Sequence, residues 1–130
     1  MEKLELLIRE AKKAMKRAIA PYSNFRVGVS VLARNRIYTG CNIENPSLML
    51  SECAERVALL KALSEGEKQI KSILIISSDG DYCYPCGSCR QLIYEFAPDA
   101  DIYIASSKGI KKYNINELLP YGFRREGDED

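Results

Sequence analysis

The chain has 130 residues, with 19 basic and 18 acidic side chains, and hydrophobic residues make up 46% of it. This composition permits one buried core, and the net charge of +1 provides no electrostatic footprint for nucleic acid or an anionic membrane. No apolar run approaches the roughly 20 residues that span a bilayer, and the N-terminus lacks the apolar region of a signal peptide. We therefore expect one cytoplasmic domain over residues 1–130, with a flexible acidic tail from about residue 125.

Hydrophobic periodicity predicts helices and strands along most of the chain. An amphipathic helix is expected over 2–19 and an alternating strand over 25–32. The later elements are a partner strand over 36–43, a helix over 53–64, a buried strand over 70–77, a helix over 87–97, strands over 101–105 and 111–115, and a short helix over 117–119. In the helix over 53–64, Val57, Leu60 and Leu63 are expected to face the core. This order predicts an α/β protein, a three-layer α/β/α sandwich with a mixed five-stranded sheet.

The cysteines provide the clearest chemical signal, because the chain contains no histidine. The five cysteines are Cys41, Cys53, Cys83, Cys86 and Cys89. In a reducing compartment, clustered thiols indicate metal binding or catalysis rather than disulfides. Two short segments, residues 53–56 (CAER) and 85–90 (PCGSCR), each stand where a loop meets a predicted helix. The free N–H groups of a helix N-terminus lower the pKa of a thiol and favour the thiolate that a metal binds.

These two segments can build a zinc site with an open position. Three thiolates leave the fourth tetrahedral position to water, as in catalytic zinc sites. Bound zinc lowers the pKa of such a water to about 7, which makes it a nucleophile. Glu55 lies two residues after Cys53 and can move protons without binding the metal. Arg56 can donate a hydrogen bond to a thiolate sulfur and offset the negative charge of the site.

Several simpler interpretations stay open at this stage. Cys83 as a fourth ligand would close the site and make it a structural zinc module without activity. The overlapping C-x-x-C pairs also permit a redox role, and Cys41 can be a small buried residue. Glu55 can be an ordinary surface residue of a helix, and an isolated aromatic such as Phe25 is usually part of a core.

Further short motifs extend the pattern across nearly the whole chain. They are APYS with FRVG within residues 20–28, GCNIEN at 40–45, CAER at 53–56, SEG at 64–66, PCGSCRQ at 85–91, and LLP at 118–120 followed by Phe123. In this order they resemble the small homotetrameric zinc-dependent cytidine deaminases of the cytidine and deoxycytidylate deaminase superfamily. The zinc deaminase signature includes a glutamate that does not bind the metal.

The resemblance implies an activity and a role for each matching residue. Cytidine and deoxycytidine would be hydrolysed to uridine and deoxyuridine with release of ammonia, a reaction of pyrimidine salvage. Cys53, Cys86 and Cys89 would bind one zinc ion per subunit, Glu55 would be the catalytic acid and base, and Arg56 would sit beside the thiolates. The residues implied to contact the free pyrimidine nucleoside are Phe25, Asn42, Glu44, Ala54 and Phe123. Phe123 resembles an aromatic residue that enters a neighbouring subunit's site, which implies a homotetramer.

The loop before the second helix departs from the family pattern. Leu48 stands where related chains often carry tyrosine, and Pro46 and Ser47 precede it where a small residue is usual at the first position. We therefore expect altered contacts at the 5′-end of the sugar. The alternative substrate class is an aminopyrimidine nucleoside of the blasticidin S type, acted on by the same zinc site. A polynucleotide substrate is disfavoured by the near-zero net charge.

Overall fold

The computed structural model describes residues 2–125, and its helices and strands follow the predicted order along that range. The helices are α1 (Glu2–Lys16), α2 (Ala54–Ser64), α3 (Gly87–Phe96) and α4 (Ile115–Leu118). The strands are β1 (Val27–Ala33), β2 (Arg36–Cys41), β3 (Ile70–Ser77), β4 (Asp101–Ser106) and β5 (Gly109–Tyr113). A short 3-10 helix, Leu48–Leu50, interrupts the loop before α2. The acidic tail predicted from about residue 125 falls mainly on 126–130, outside the described residues, and stays a prediction.

The five strands form one mixed sheet in the order β2-β1-β3-β4-β5. β1 is antiparallel to both β2 and β3, and β5 is antiparallel to β4. β3 and β4 are parallel, which requires a crossover connection, and α3 provides it. The parallel pair therefore places the start of α3 after the carboxyl end of β3, at one edge of the sheet.

Helices cover both faces of the sheet. Successive side chains of a strand point to opposite faces, and the central strands carry apolar side chains on both, so each face is buried by helices. Val29 and Ile75 belong to a core shared with α2, α3 and α4. Leu32 and Leu74 point to the other face and pack with Leu7 of α1. The predicted three-layer α/β/α sandwich with a mixed sheet is confirmed.

Two glycines allow the helices to lie close to the sheet. A methyl group on Gly28 would stand 2.0 Å from the carbonyl oxygen of Ala11 in α1, and one on Gly40 would stand 2.5 Å from the amide nitrogen of Ala58 in α2. Both neighbours are helix backbone atoms, which cannot move aside alone. These two positions therefore set the separation between the layers.

The substitution Gly28→Ala is expected to lower the free energy of unfolding by about 3 kcal/mol or more, at the upper end of overpacking costs. The physical reason is the clash with Ala11, which requires α1 to shift. Urea unfolding followed by circular dichroism measures the change. Gly87→Ala is the matched control, because nothing lies within 4 Å of the added methyl group. Equal stabilities of the two variants would contradict the close approach.

The buried face of α2 differs in part from the predicted one. Ala58, Leu59 and Ala62 are buried, whereas Leu60 is 47% exposed, so the expectation for Leu60 is wrong. The reason is the direction of the side chains around the helix: residues 58, 59 and 62 face the core, with alanine where α2 comes close to Gly40, and Leu60 points away. Leu63 packs only partly against the core.

The last strand and helix are displaced relative to the predicted ranges. β5 begins at Gly109 and ends at Tyr113, and Ile115 starts α4 instead of ending the strand. The Asn114 side chain accepts from the Glu117 amide while the Glu117 side chain accepts from the Asn114 amide, a reciprocal cap that fixes this helix start. Within residues 2–125, no helix combines the length and the apolar character needed to cross a bilayer.

Candidate active site

Three cysteines from two helix starts meet at one point. Cys53 is the N-cap residue of α2, Cys86 is the N-cap residue of α3, and Cys89 lies in the first turn of α3. Their sulfur atoms all lie within 4.8 Å of one another, and the Cys53 and Cys86 sulfurs are 3.8 Å apart. Cys86 is exposed and Cys89 is buried, so the group lies between solvent and the core.

The donor set and its spacing suit zinc. Four ligands at about 2.3 Å in a tetrahedron place neighbouring sulfurs about 3.8 Å apart. The Cys53–Cys86 separation matches that value. Among residues 2–125, Cys83 is not a member of this group of metal-binding atoms. Its side chain packs partly against the core, and burial raises the pKa of its thiol to about 12, which favours the neutral form. The geometry thus supports three protein ligands rather than four.

The environment of the three sulfurs favours a thiolate at Cys53. Hydrogen bonds from the Cys89 and Cys86 thiols, together with the positive charge of Arg56, lower the pKa of Cys53 to about 6. The same cluster raises the pKa of Cys89, because that thiol donates to Cys53 and is also buried. A divalent cation that replaced the protons would favour all three thiolates.

Glu55 is a buried carboxyl beside this group. It lies in the first turn of α2 with 7% of its surface exposed. Burial, with a smaller contribution from the nearby Cys53 thiolate, raises its pKa to about 7. A carboxyl with that pKa exchanges protons readily near neutral pH, as a general acid and base requires.

The same burial predicts a pH-dependent cost to stability in chelator-treated protein. Between about pH 4.5, the ordinary pKa of Glu55, and about pH 7, the unfolded chain carries the ionised carboxylate while the folded chain keeps the proton. Stability from this group therefore falls as pH rises through that window, by about 3 kcal/mol in all. Glu55→Gln should remove the loss, so the variant should be more stable than the parent at pH 8 and similar at pH 4.5.

Urea unfolding at both pH values tests this, with Glu95→Gln as the control, since Glu95 is exposed on α3. The prediction fails if the two variants respond equally to pH.

Arg56 lies next to the cysteine group but bonds elsewhere. Its Nε and Nη2 atoms donate to Oε1 of Glu52 at 3.0 and 2.6 Å, and Nη2 also reaches the carbonyl oxygen of Ser51 at 3.4 Å. In this structure Arg56 thus donates to Glu52 and Ser51, and its predicted hydrogen bond to a thiolate sulfur stays a prediction. Its charge still lowers the pKa of Cys53.

A short backbone ladder joins the segment around Asn42 to the first cysteine. Ile43 exchanges two hydrogen bonds with Glu52, at 3.0 and 2.8 Å. On its other side, Ile19 donates to the Asn42 carbonyl and accepts from the Glu44 amide. Because Glu52 directly precedes Cys53, the ladder fixes Asn42 and Glu44 near the start of α2.

The side chains of Asn42 and Glu44 hold the segment that carries Phe25. Asn42 accepts from the Val27 amide and donates to the Phe25 carbonyl, both at 2.8 Å. Glu44 accepts from the Ser23 hydroxyl and from the amides of residues 22 and 23, which lower its pKa. An amide has a second N–H and a carboxylate has further lone pairs, so both groups can also bind a ligand.

Among the residues predicted to contact the substrate, Phe123 is largely exposed and Ala54 is completely buried. Gln91 of α3 donates to the Phe123 carbonyl oxygen at 3.0 Å, while 71% of the Phe123 residue surface is exposed. Phe123 and Arg56 line a cleft of about 580 Å³ along α3. Ala54 is fully buried against Gly40, so its contact with substrate stays a prediction.

Two residues that support the site, Glu52 and Arg90, have contacts that the sequence did not predict. Glu52 binds Arg56, and the i, i+4 spacing of a glutamate and an arginine was the available signal. Arg90 donates to the carbonyl oxygens of Pro85 and Leu118, both at 2.7 Å, and so joins the start of α3 to the end of α4. Nothing in the spacing of Arg90 indicated that contact.

Comparison with known proteins agrees with this geometry. The α/β/α fold and the three-cysteine group beside a buried carboxyl define a candidate metal-dependent enzyme. The family model for the cytidine and deoxycytidylate deaminase zinc-binding region matches residues 1–105. The chain belongs to the cytidine and deoxycytidylate deaminase family.

Relatives and solved structures cover nearly all of the chain. It is 41% identical to the cytidine deaminase of Sporosarcina psychrophila, over 95% of this chain and 93% of the relative. It is 40% identical to the cytidine deaminase of Halalkalibacterium halodurans, over 97% and 98%. The crystal structure of cytidine deaminase from Burkholderia pseudomallei superposes with a TM-score of 0.86 at 35% identity, covering 92% of this chain and 98% of that one.

Proposed function

We propose that this protein is a zinc-dependent enzyme that hydrolyses cytidine and deoxycytidine to uridine and deoxyuridine with release of ammonia. The observation that carries the proposal is the group of Cys53, Cys86 and Cys89 beside the buried Glu55. Three soft ligands suit zinc, and an adjacent carboxyl with a pKa of about 7 suits a reaction in which protons move from water to a leaving amine.

Each residue has a distinct part in the proposed reaction. Zinc, when held by the three cysteines, supplies a Lewis acid that makes water nucleophilic at neutral pH. The Glu55 carboxylate would accept one proton from the attacking water and pass it to the ring nitrogen of the pyrimidine, and would then pass the remaining hydroxyl proton to the amino group, which leaves as ammonia. Burial keeps Glu55 away from bulk water, and its place in the first turn of α2, two residues after Cys53, keeps it beside the metal ligands.

The nucleoside is proposed to lie along the segment that the ladder fixes. Phe25 is half-buried and offers a ring face to the flat pyrimidine, a contact that contributes about 1–3 kcal/mol for stacked bases. Asn42 and Glu44 together can donate to and accept from a sugar hydroxyl, which needs both kinds of partner. The hydrogen bonds from Ser23 support this use, because they keep Glu44 ionised.

The decisive experiment follows the ultraviolet absorbance of cytidine incubated with zinc-loaded protein. We expect conversion to uridine that a chelator abolishes and added zinc restores. Blasticidin S is assayed in parallel, since Leu48, five residues before Cys53 in the sequence, departs from the family pattern and is 82% exposed. Turnover of blasticidin S without turnover of cytidine would replace the proposed substrate while keeping the chemistry. Absence of both activities in folded, zinc-containing protein would overturn the proposal.

We also propose that the protein works as a homotetramer in which Phe123 reaches a neighbouring subunit. Leu48, Met49 and Leu50 are 82%, 93% and 64% exposed, and Phe123 is 71% exposed. Such apolar side chains commonly mark an interface. Sedimentation velocity should give four times the 14.7 kDa chain mass. Phe123→Ala should raise KM and leave the zinc content unchanged. A fully active monomer would contradict this part.

A further inference from the structure

The segment that leads to Cys86 is a loop rather than a helix or a strand. It runs from the end of β3 at Ser77 to the start of α3 at Gly87. Cys89 is fixed by complete burial, and Cys53 is fixed by the ladder beside it, whereas Cys86 is exposed. On the helix side, the Cys86 carbonyl oxygen accepts from the Arg90 amide at 2.9 Å, and on the other side the position of the Cys86 sulfur depends on what holds this loop.

Aromatic side chains hold the loop against the edge strand β5. The hydroxyl oxygens of Tyr84 and Tyr113 are 2.7 Å apart, and the two rings meet edge to face with centroids separated by 5.6 Å. Two residues earlier, the Tyr82 ring lies 4.3 Å from the ammonium group of Lys111. Tyr113 and Lys111 both belong to β5. Cys83, between the two tyrosines, packs partly against the core, as Tyr82 does.

The contact with β5 lies very close to the metal site in sequence. Tyr84 precedes Pro85, which is almost completely buried, and Pro85 precedes Cys86. The Pro85 carbonyl oxygen is held by Arg90 at 2.7 Å. With φ of Pro85 fixed by its ring, a displacement of Tyr84 passes to Cys86 through few rotatable bonds.

We propose that Tyr84 and Tyr113 form a positioning pair that holds the Cys86 sulfur in place for the metal. The inference rests on the proposed function, because it assumes that Cys86 is a zinc ligand. Neither tyrosine touches substrate or metal in this role. The pair acts through the loop backbone, as outer residues that orient a metal ligand do.

The test measures zinc release from the loaded protein to an excess of a chromogenic chelator. The variants are Tyr84→Phe, Tyr113→Phe and the double variant, each of which keeps the rings and loses one or both hydroxyls. We expect about threefold faster release in each single variant, equal to about 0.7 kcal/mol at tenfold per 1.4 kcal/mol. Because both hydroxyls serve the same bond, the double variant should release zinc no faster than either single one. Tyr121→Phe is the control, since Tyr121 is fully exposed.

A second measurement separates positioning from general stability. Urea midpoints of the chelator-treated variants are compared with that of the chelator-treated parent, because bound zinc would itself contribute to the midpoint. Faster zinc release with an unchanged midpoint supports the positioning pair. Zinc release equal to that of Tyr121→Phe overturns the positioning pair. Zinc release that is faster only in variants with a lower urea midpoint also overturns it. In both cases the parent still binds zinc and turns over cytidine, so the proposed function stands. A parent chain that binds no zinc would overturn the proposed function together with this inference.

Discussion

Replacing Glu55 by glutamine is expected to lower kcat for cytidine by about a thousandfold, within the range that general acid–base groups contribute. Glutamine preserves the size and polarity of the buried side chain but can neither accept nor return a proton. Steady-state kinetics of the zinc-loaded variant measure the loss. The substitution does not touch a cysteine, so the zinc content should stay at one per chain.

A control variant and a stability measurement show whether a fall in kcat comes from the loss of the buried Glu55 carboxylate. Glu95→Gln changes an exposed carboxylate on α3 and should leave kcat within about twofold of the parent. Glu55→Gln should also be the more stable protein at pH 8 after chelation, as its burial requires. Activity within tenfold of the parent would remove Glu55 from the proposed mechanism.

Replacing Cys89 by alanine is expected to weaken zinc binding by at least about 100-fold, more than the loss of an outer partner of a ligand. Cys89 is fully buried and lies within 4.8 Å of both other sulfurs, so no solvent-exposed residue can replace it easily. Competition with a chelator of known affinity measures the change. Turnover of cytidine should fall in parallel at limiting zinc and recover little when zinc is added.

Cys83→Ala is the matched control for Cys89→Ala. Cys83 lies in the same C-x-x-C-x-x-C run, but its thiol packs partly against the core. We expect zinc affinity within a few-fold of the parent. Equal losses of zinc in both variants would make Cys83 a fourth ligand and would favour a closed structural site.

Most of the fold was predictable because its elements follow simple periods. β3 reads Ile-Lys-Ser-Ile-Leu-Ile-Ile-Ser and is buried on both faces, as its continuous apolar run indicates. The buried face of α2 was not predictable, because hydrophobicity favours Leu60 while the close contact with Gly40 selects alanines. The distance between a helix and the sheet depends on residues that are far apart in the sequence, so no single segment determines it.

In the candidate site, too, some features were predictable from local sequence and others depend on tertiary contacts. The positions of Cys53, Cys86 and Glu55 relative to their helix starts followed from motif spacing, and the structure brings them together. The partner of Arg56 did not follow, because a thiolate and the Glu52 carboxylate compete for it and only geometry decides between them. The contact between Tyr84 and Tyr113 joins residues 29 apart in sequence and has no local signal.

The distance along the chain between Cys53 and Cys86 has a consequence for folding. These residues are 33 positions apart, and the segment between them contains all of α2 and β3. An ion held by both is a cross-link that closes a long loop. By a disulfide's chain-entropy relation, closing a loop of this length in the unfolded chain would cost about 3–4 kcal/mol, so the ion binds the folded chain, in which the loop is already closed, in preference to the unfolded one. The metal then acts as a reversible cross-link, and the melting temperature of the protein should depend on the free zinc concentration.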